Sequence, residues 1–586
     1  FAQVGPRNRL QYPPCMGDSG SEDDPPAVLG TELEKSLLRG TPVHRVLGCL
    51  GSSFRDNTFD ERSYANSEEV DTIDDYVSHD WSSSAIRKFF ALALLYNGPA
   101  AAWLSLLVAA VPAVLQHRSV GVLPLPTPVT NTGDITYYYG YWCQVVGIGV
   151  HAVLLCSWQH LRALLRWRGP CLFFDKFCID QVNPERQKAG ILGLGGFLRK
   201  TNRLVILWTP RYFTRLWCTY ELAVWLHLQK PLQIIFMPLD TAAWLVKMSA
   251  LTAAFTALLC LTLLFNPLSW GWWVSFFLGM AVILPFVAHS LRTHIHALRK
   301  LQANLLRFDA KKTECFCCTN NHVHPRSGRP IAHCDRKLVY YTLSRWFGEE
   351  GEPADPHVAL SRFNAAVRSD FADFFLETAH PSKLPYKYLI VAVSWPWVFR
   401  GLDMLAAFGE FPTEGCLRMV LEYWANIFLV YPLLYRFGVA QSVWLDAAVG
   451  MPRGCLPNLL LDVLLAAGLL ADTVVLWAPV GLLRELESPW PFCGAVLAET
   501  ILACALFGRD LIGPARWISR RSSAAVQSLR SISWRATAST GSSASAPPPH
   551  ALDPPLFSEG ATPRLDRRAQ PQPATVGAVQ LGVVWV

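Results

Sequence analysis

The chain has 586 residues, of which 51% are hydrophobic and 17% charged, and its mean hydropathy is +0.23. That balance is too apolar for an ordinary soluble globular protein and describes an integral membrane protein whose first partner is the lipid bilayer. A net charge of +7 is small for this length, and the basic residues gather beside apolar runs and in the tail, which suits an anionic membrane surface and gives no reason to expect nucleic acid. The 16 cysteines are scattered, several within apolar runs, so no disulfide framework is expected.

Residues 1–66 read as a polar, disordered arm. Pro13-Pro14, Pro25-Pro26 and the acidic run Glu22-Asp23-Asp24 leave no periodic core, although Val43 to Leu50 is apolar enough for a short docking element. Residues 67–96 open acidic, then Tyr76 to Trp81 (YVSHDW) predicts a strand entering a polar turn, and Ser82 to Leu95 a serine-capped helix. Gly98 to Leu115 and Tyr138 to His160 are each apolar enough to cross about 30 Å of hydrocarbon, making residues 97–161 a transmembrane hairpin. Arg162, Arg166 and Arg168 come directly after it, whereas its loop is almost free of basic residues. The positive-inside bias therefore places residues 162–242 in the cytosol.

Residues 162–242 hold the stretch on which the rest is organised. A short apolar run ends at Asp175, a polar turn carries Asn183-Pro184, and an amphipathic segment runs from Gln187 to Leu198. A second apolar run, Arg203 to Trp208, precedes the segment containing Glu221, and Leu232 to Met237 offers a further strand. Alternating buried strands and helices predict a parallel, flavodoxin-like α/β sheet with ligand chemistry at the strand ends. Residues 67–96 would join it from the other side of the hairpin, so the domain is split by two spans. Gly193, Gly195 and Gly196 fall inside a predicted helix and do not follow a strand as a dinucleotide fingerprint must.

Further spans are expected at Val246 to Phe265 and Trp270 to His289, a second hairpin over 243–290. Four more, Tyr388 to Phe408, Met419 to Tyr435, Pro457 to Ala478 and Phe492 to Phe507, make a bundle over 385–512. Eight crossings put both termini in the cytosol. Between the hairpin and the bundle lies a cytosolic segment, 291–384. There Cys315 and Cys318 have C-x2-C spacing, and His322 or His324 with His333 or Cys334 would complete a tetrahedral set for a structural zinc. A compact loop of free thiols is the plainer alternative. Phe363 to Leu376 reads as an amphipathic helix lying on this loop or on the membrane. The ionisable residues Arg400, Asp403, Asp462, Asp472 and Glu499 lie in apolar spans, where charge is costly and marks a partner or an aqueous path. Arg400 and Asp403, three apart, are spaced to neutralise each other. Residues 513–586 form a disordered basic tail rich in Ser, Ala and Pro.

Three motifs in order carry a resemblance. SHDW at Ser78 to Trp81, FFD ending at Asp175 and LWCTYEL at Leu216 to Leu222 resemble a Toll/interleukin-1 receptor (TIR) domain, whose last motif commonly reads S-x-x-WC-x-x-EL. FDKFCIDQVNPERQKAGI, Phe174 to Ile191, resembles the CINQ-x-x-x-ER-x-x-Q signature of fungal heterokaryon-incompatibility (HET) domains, themselves TIR-like. The arrangement of spans with a later CFCC...CDR segment is similar to membrane proteins of dinoflagellate algae. The motif matches cover the α/β stretches and not the spans.

The resemblance implies self-association through the TIR-like domain. It also implies a second activity, because many TIR domains cleave NAD⁺ between nicotinamide and ribose, and Glu221 matches their catalytic glutamate. A carboxylate suits the task by holding ribose hydroxyls and stabilising an oxocarbenium-like centre. Trp217 or Tyr220 would stack on a ring, and Asp175 with Asp180 would lie at the strand end where the nucleotide sits. His79 would polarise a ligand at the same edge, and Arg186 would reach a phosphate. Plainer readings stand beside these: Glu221 paired with Arg215 or Arg211, Trp217 and Cys218 as core, His79 capping a turn, Arg186 bridging Glu185 or Asp180. The expected function is a membrane-anchored TIR/HET-like signalling or assembly module. NAD⁺ hydrolysis through Glu221 and regulated ion or solute transport through the last four spans are the alternatives.

Overall fold

The structure is a computed structural model. It describes residues 29–511 except 31, 56–60, 117–121, 124–126, 131–135, 229, 231–232, 266–268, 324–327, 329, 332–333, 349–354, 373–385, 391–393, 406–412, 484–485 and 487. The expected basic tail, the first 28 residues of the arm, His324 and His333 therefore lie outside the described residues.

Strand β1 (Arg39–Pro42) and the two-residue β2 (Glu68–Glu69) precede β3 (Ile73–His79); β4 (Thr127–Thr130) and β5 (Thr136–Tyr139) form a separate antiparallel hairpin, and β6 (Cys171–Phe173), β7 (Thr201–Trp208) and β8 (Ile234–Pro238) come after it. The main sheet has six strands in the order β2-β1-β6-β3-β7-β8. Strands β6, β3, β7 and β8 run parallel, whereas β1 is antiparallel to both β6 and β2. The sheet is thus mixed, not wholly parallel. Its antiparallel edge comes from the arm that composition marks as disordered, because Thr41 pairs with Leu172 and the edge of β6 needs a backbone partner. The short docking element expected over Val43 to Leu50 is real, with Val43, Val46 and Leu47 buried.

Helices close both faces. On one lies the start of α1 (Ala85–Gln116), with α2 (Trp142–Leu164) packed along α1 beyond the sheet. On the other lie α3 (Pro184–Leu192), α4 (Leu194–Arg199) and α5 (Leu216–His227). The strands alternate accordingly: Leu204, Ile206 and Trp208 of β7 share a core with Phe197 of α4 and Val224 of α5, while Val205 and Leu207 pack with Phe89 and Leu92 of α1. Burial on both faces is why these strands read as unbroken apolar runs. The helix glycines expected not to bind phosphate serve packing instead, since a Cβ on Gly196 would lie 2.5 Å from the Leu33 Cβ.

Further long helices are α6 (Leu239–Phe265), α7 (Ser269–Leu306), α8 (Asp335–Phe347), α9 (Pro356–Ala366), α10 (Trp395–Leu405), α11 (Tyr431–Ala448), which continues the helix Thr413–Ala425 through the turn Asn426–Val430, α12 (Cys455–Leu483) and α13 (Trp490–Leu511). Among the described residues seven helices are long and apolar enough to cross a membrane: Ala85–Gln116, Trp142–Leu164, Leu239–Thr262, Phe277–Leu306, Val420–Ala448, Cys455–Leu483 and Trp490–Gly508. The eighth expected span, Tyr388 to Phe408, is not one of them. Residues 391–393 and 406–408 of it lie outside the described residues, and the described part includes the end of the turn Tyr386–Leu389 and the 11-residue α10. α10 lodges against α1 and α6, burying Phe399 and Trp397 among Ala102, Ala109, Phe255 and Leu259. The amphipathic stretch expected from Phe363 begins within α9 and packs on the sheet-side core through Phe363, Val367 and Phe371.

One helix runs across the boundary expected at residues 96–97. α1 starts on the sheet, where Phe89 and Leu92 are buried against Val205 and Leu207, and continues unbroken to Gln116. Asn97 Nδ2 donates to the Leu155 carbonyl at 2.8 Å and Gln159 Nε2 to the Tyr96 carbonyl at 2.9 Å, which pins α2 to α1 at the point of departure from the sheet.

Beneath that point Asp75 of β3, with no exposed side-chain surface, receives both Arg203 Nε (2.6 Å) and Arg203 Nη2 (2.8 Å), and Tyr96 Oη at 2.8 Å. Asp75 and Arg203 are direct register partners on β3 and β7. Burial raises the Asp75 carboxyl above its ordinary value, and the guanidinium works against that shift. Arg203→Met would strand a buried carboxylate, although the half-exposed guanidinium moderates the loss; we expect about 2 kcal/mol. Hydrogen exchange of β3 and β7 amides in the reconstituted chain should speed up roughly thirtyfold, and unchanged exchange would show that the pair holds nothing together.

Candidate functional site

Helix α5 follows β7 through the turn Tyr212–Thr214, and its sequence, LWCTYELAVWLH, has neither Gly nor Pro and is apolar on nearly every face. Such a helix must be covered all round. The sheet covers one side, and the segment from Ala310 to Phe347 covers the other, so Leu222, Ala223, Val224 and Trp225 are all buried. Glu221 is the one acidic residue in α5, and it faces the sheet.

Period-two alternation along β3 points Tyr76 and Ser78 toward the same face as Glu221. Tyr76 Oη donates to Glu221 Oε1 at 2.9 Å, Ser78 Oγ donates to Oε2, and Ser78 Oγ lies 2.6 Å from Tyr212 Oη. Glu221 as a whole remains half-buried. Burial pushes its carboxyl from 4.5 up to about 8; the Ser78 and Tyr76 hydrogen bonds oppose this, and the charge of Asp175 adds to it. Tyr76 in turn is held well above the ordinary phenol value by burial and by Glu221. The result is a carboxyl still largely protonated at neutral pH, between two hydroxyls near the carboxyl ends of parallel strands, a set able to give or take a proton.

Neither arginine proposed as a simple partner takes Glu221. Arg211 Nη2 bonds Glu314 at 2.9 Å, and Arg215 lies 3.7 Å from both Asp80 and Glu314. Asp175, at the end of β6, accepts from Trp81 Nε1 at 2.8 Å and from the Lys176 amide at 2.8 Å. Burial raises its carboxyl, the Trp81 bond works against the rise, and it lies close enough to bear on Glu221. Asp175 and Glu221 therefore share one end of the sheet.

His79 does not join them. It points to the opposite face, 8% exposed, boxed by Phe54 (5.4 Å), Trp81 (4.7 Å) and Phe174 (5.7 Å between ring centroids). Burial first, and then Lys88, hold its imidazole well below its ordinary value, so it is neither a surface cap nor a charged donor. Asp180 organises its own loop by accepting from the amides of Val182 (3.0 Å) and Asn183 (3.1 Å), while Arg186 lies 4.0 Å from Asp180. Asn183 caps α3, with Pro184 in the first turn. Trp217 and Tyr220 lie on the far side of α5: the Trp217 indole donates to Asp335 at 3.3 Å, and Tyr220 stacks on Trp346 at 6.1 Å. Tyr76, Ser78 and Tyr212 were not singled out by sequence. The alternation on β3 was the available signal for the first two; Tyr212 needs the turn.

The second cluster joins Cys315, Cys317, Cys318, His322 and Cys334. Sγ separations are 3.1 Å for Cys315–Cys317, 4.0 Å for Cys317–Cys318 and 3.6 Å for Cys318–Cys334. Ligand atoms of Cys315, Cys317 and Cys318 lie within 4.8 Å of one another, as do those of Cys317, His322 and Cys334. Cys317, which C-x2-C spacing passes over, belongs to both groups.

The Glu221 cluster sets a pH dependence. With the folded carboxyl at about 8 and its ordinary value at 4.5, the folded chain keeps a proton that the unfolded chain has lost. Stability is therefore full below 4.5 and declines as pH rises toward about 8, by at most about 1.4 kcal/mol per unit. Unfolding midpoints of the α/β domain measured across that window should fall with pH, and Glu221→Gln should flatten the slope; an equal slope in both would assign the titration elsewhere. No protein-family model matches the chain, and neither a curated protein nor a solved structure matches it.

Proposed function

We propose that the chain is a membrane-anchored TIR/HET-like module that signals or assembles through its α/β domain on the cytosolic face. The observation that carries this reading is the continuity of helix from sheet to span. α1 runs without a break from the sheet, α6 starts at Leu239 directly after β8, and α7 ends at Leu306, beside Phe308 in the sheet-side core. A partner copy docked on the sheet would thus move spans as rigid levers. The parallel strands also follow the order second, first, third, fourth in chain sequence, as in flavodoxin-like sheets. Photobleaching counts of the labelled full chain in bilayers should rise above one step per spot as protein density increases. Single steps at every density would remove the assembly reading.

Glu221 favours a second reading, NAD⁺ cleavage. Among the described residues it forms no salt bridge, and it lies close to Asp175 and near the strand ends where α/β sheets bind nucleotides. In that reaction the bond from ribose C1′ to the nicotinamide nitrogen breaks and the electron pair leaves with nicotinamide. The ionised Glu221 stabilises the cationic ribose, water adds at C1′, and the carboxylate takes the water proton. Because the ionised form acts, release should increase as pH climbs through about 8. Nicotinamide release by the full chain should fall at least about a hundredfold in Glu221→Gln. Release that survives that substitution, or none in the native chain, would sink the enzyme reading and leave assembly standing.

A further inference from the structure

We infer that Cys317, Cys318, Cys334 and His322 hold one zinc ion that fastens the segment after α7 to the back of α5. The inference is independent of what Glu221 does.

Two ligands of one tetrahedral zinc sit about 3.8 Å apart when both are sulfur and about 3.6 Å apart when one is nitrogen, as metal–ligand bonds of about 2.3 and 2.0 Å require. The Cys318–Cys334 and Cys317–Cys318 separations, 3.6 and 4.0 Å, bracket that value. The ring of His322 lies within 4.8 Å of both Cys317 and Cys334. Cys315 lies 3.1 Å from Cys317, too close for a second ligand on the same ion but right for a thiol donating to a metal-bound thiolate.

The backbone around the cluster is built for this. Cys317 sits in the single helical turn Phe316–Thr319, and the chain then reverses through Asn321 (φ 51°) and His322 (φ 58°). Consecutive left-handed residues that are not glycine carry strain, and strain of this kind persists where a site demands it. The turn is closed by the His322 amide donating to the Cys317 carbonyl at 2.7 Å, which sets the imidazole beside Cys317. A bridge between Val323 and Pro330 then returns the chain so that Cys334 leads into α8.

The cluster also sits where a fastener would matter. Cys315 and Cys317 are 2% and 1% exposed, in the same core as Tyr220 and Trp225 of α5. Next to it the Leu216 amide bonds the Glu314 carbonyl at 3.1 Å, Arg336 bonds the Thr313 carbonyl at 2.8 Å and Trp217 bonds Asp335. On binding, three thiols give up their protons to solvent and His322 binds as neutral imidazole, leaving a site of charge −1. Three sulfurs and one nitrogen favour zinc over magnesium or calcium, which take oxygen.

The test uses the full chain in lipid nanodiscs, kept reduced and purified without chelator, with metals measured by mass spectrometry. About one zinc per chain is expected. Cys334→Ser and His322→Ala should each bring it below about a tenth, while Cys315→Ser should keep most of it. Since a ligand variant can fail to fold, the native chain is also stripped with chelator and labelled with maleimide. Labelling of Cys317, Cys318 and Cys334 should rise on stripping and be reversed by added zinc. Less than about half an equivalent of zinc, iron or copper in its place, a disulfide within the cluster, or labelling indifferent to chelator would each overturn the site. Zinc kept by His322→Ala and lost by Cys315→Ser would overturn this ligand set. Metal content and nicotinamide release are separate readouts, so either can fail alone.

Discussion

The sheet and the bilayer share a helix, and that constraint orders the rest of the molecule. A single run from Ala85 to Gln116, about 48 Å long, packs on β-strands at one end and is apolar enough to cross a membrane. In hydrocarbon every backbone group must find its partner within the helix, so the chain cannot hinge freely where it enters lipid. The chain then returns through α2 to supply β6, the neighbour of β3. Pairing of β3 with β6 therefore fixes the separation of α1 from α2, and the packing of those helices fixes the register available to the strands. α6 repeats the arrangement from β8, and α7 brings the chain back to the same core.

Polar groups buried in this frame are placed where two or three elements meet. Asp75, Arg203 and Tyr96 join β3, β7 and α1 on one face of the sheet. Tyr76, Ser78, Tyr212 and Glu221 join β3, the turn after β7 and α5 on the other. The two clusters differ in balance. The first pairs a carboxylate with a guanidinium; the second has only neutral donors to offset burial, so its carboxyl holds a proton. An unbalanced buried acid weakens the fold, and such acids mark sites more often than scaffolds. This is the physical ground for preferring Glu221 to Asp75 as a residue that acts.

Asp462, Asp472, Arg400 and Asp403 serve separate helix contacts, whereas Glu499 of α13, 7% exposed, has no hydrogen-bond partner at Oε2 among the described residues. Asp462 of α12 meets Arg292 at 2.5 Å and His289 at 2.8 Å on α7. Asp472 accepts from Gln441 of α11 at 2.8 Å. Arg400 and Asp403, spaced to neutralise each other, also bind other elements: Asp403 accepts the amides of Cys143 (2.8 Å) and Gln144 (3.1 Å) at the start of α2, while Arg400 reaches Tyr423 at 3.1 Å and Cys260 at 2.8 Å. The unpaired amides and positive end of a helix offer a carboxylate several donors at once. These contacts join helices within the spans.

Local patterns were legible in the sequence because their causes are local. Bilayer thickness sets the length of an apolar run, so seven of the expected spans coincide with membrane-length helices or lie mostly within them, and a sheet covered on both faces leaves unbroken apolar strands such as Leu204 to Trp208. The Asn183-Pro184 start of α3 and the helical placement of Gly195 and Gly196 were readable for the same reason. The eighth expected span, Tyr388 to Phe408, falls partly outside the described residues, and what is described of it centres on the 11-residue α10 against α1 and α6. What tertiary structure alone decided is pairing across long separations. It joined the arm to β6 through Thr41 and Leu172, gave Glu221 the hydroxyls of Tyr76 and Ser78 in place of an arginine, put His79 on the wrong face to help it, and drew Cys317 into the thiol cluster. Spacing along the chain carries none of these, because which buried group meets which is settled by the layers that close around it.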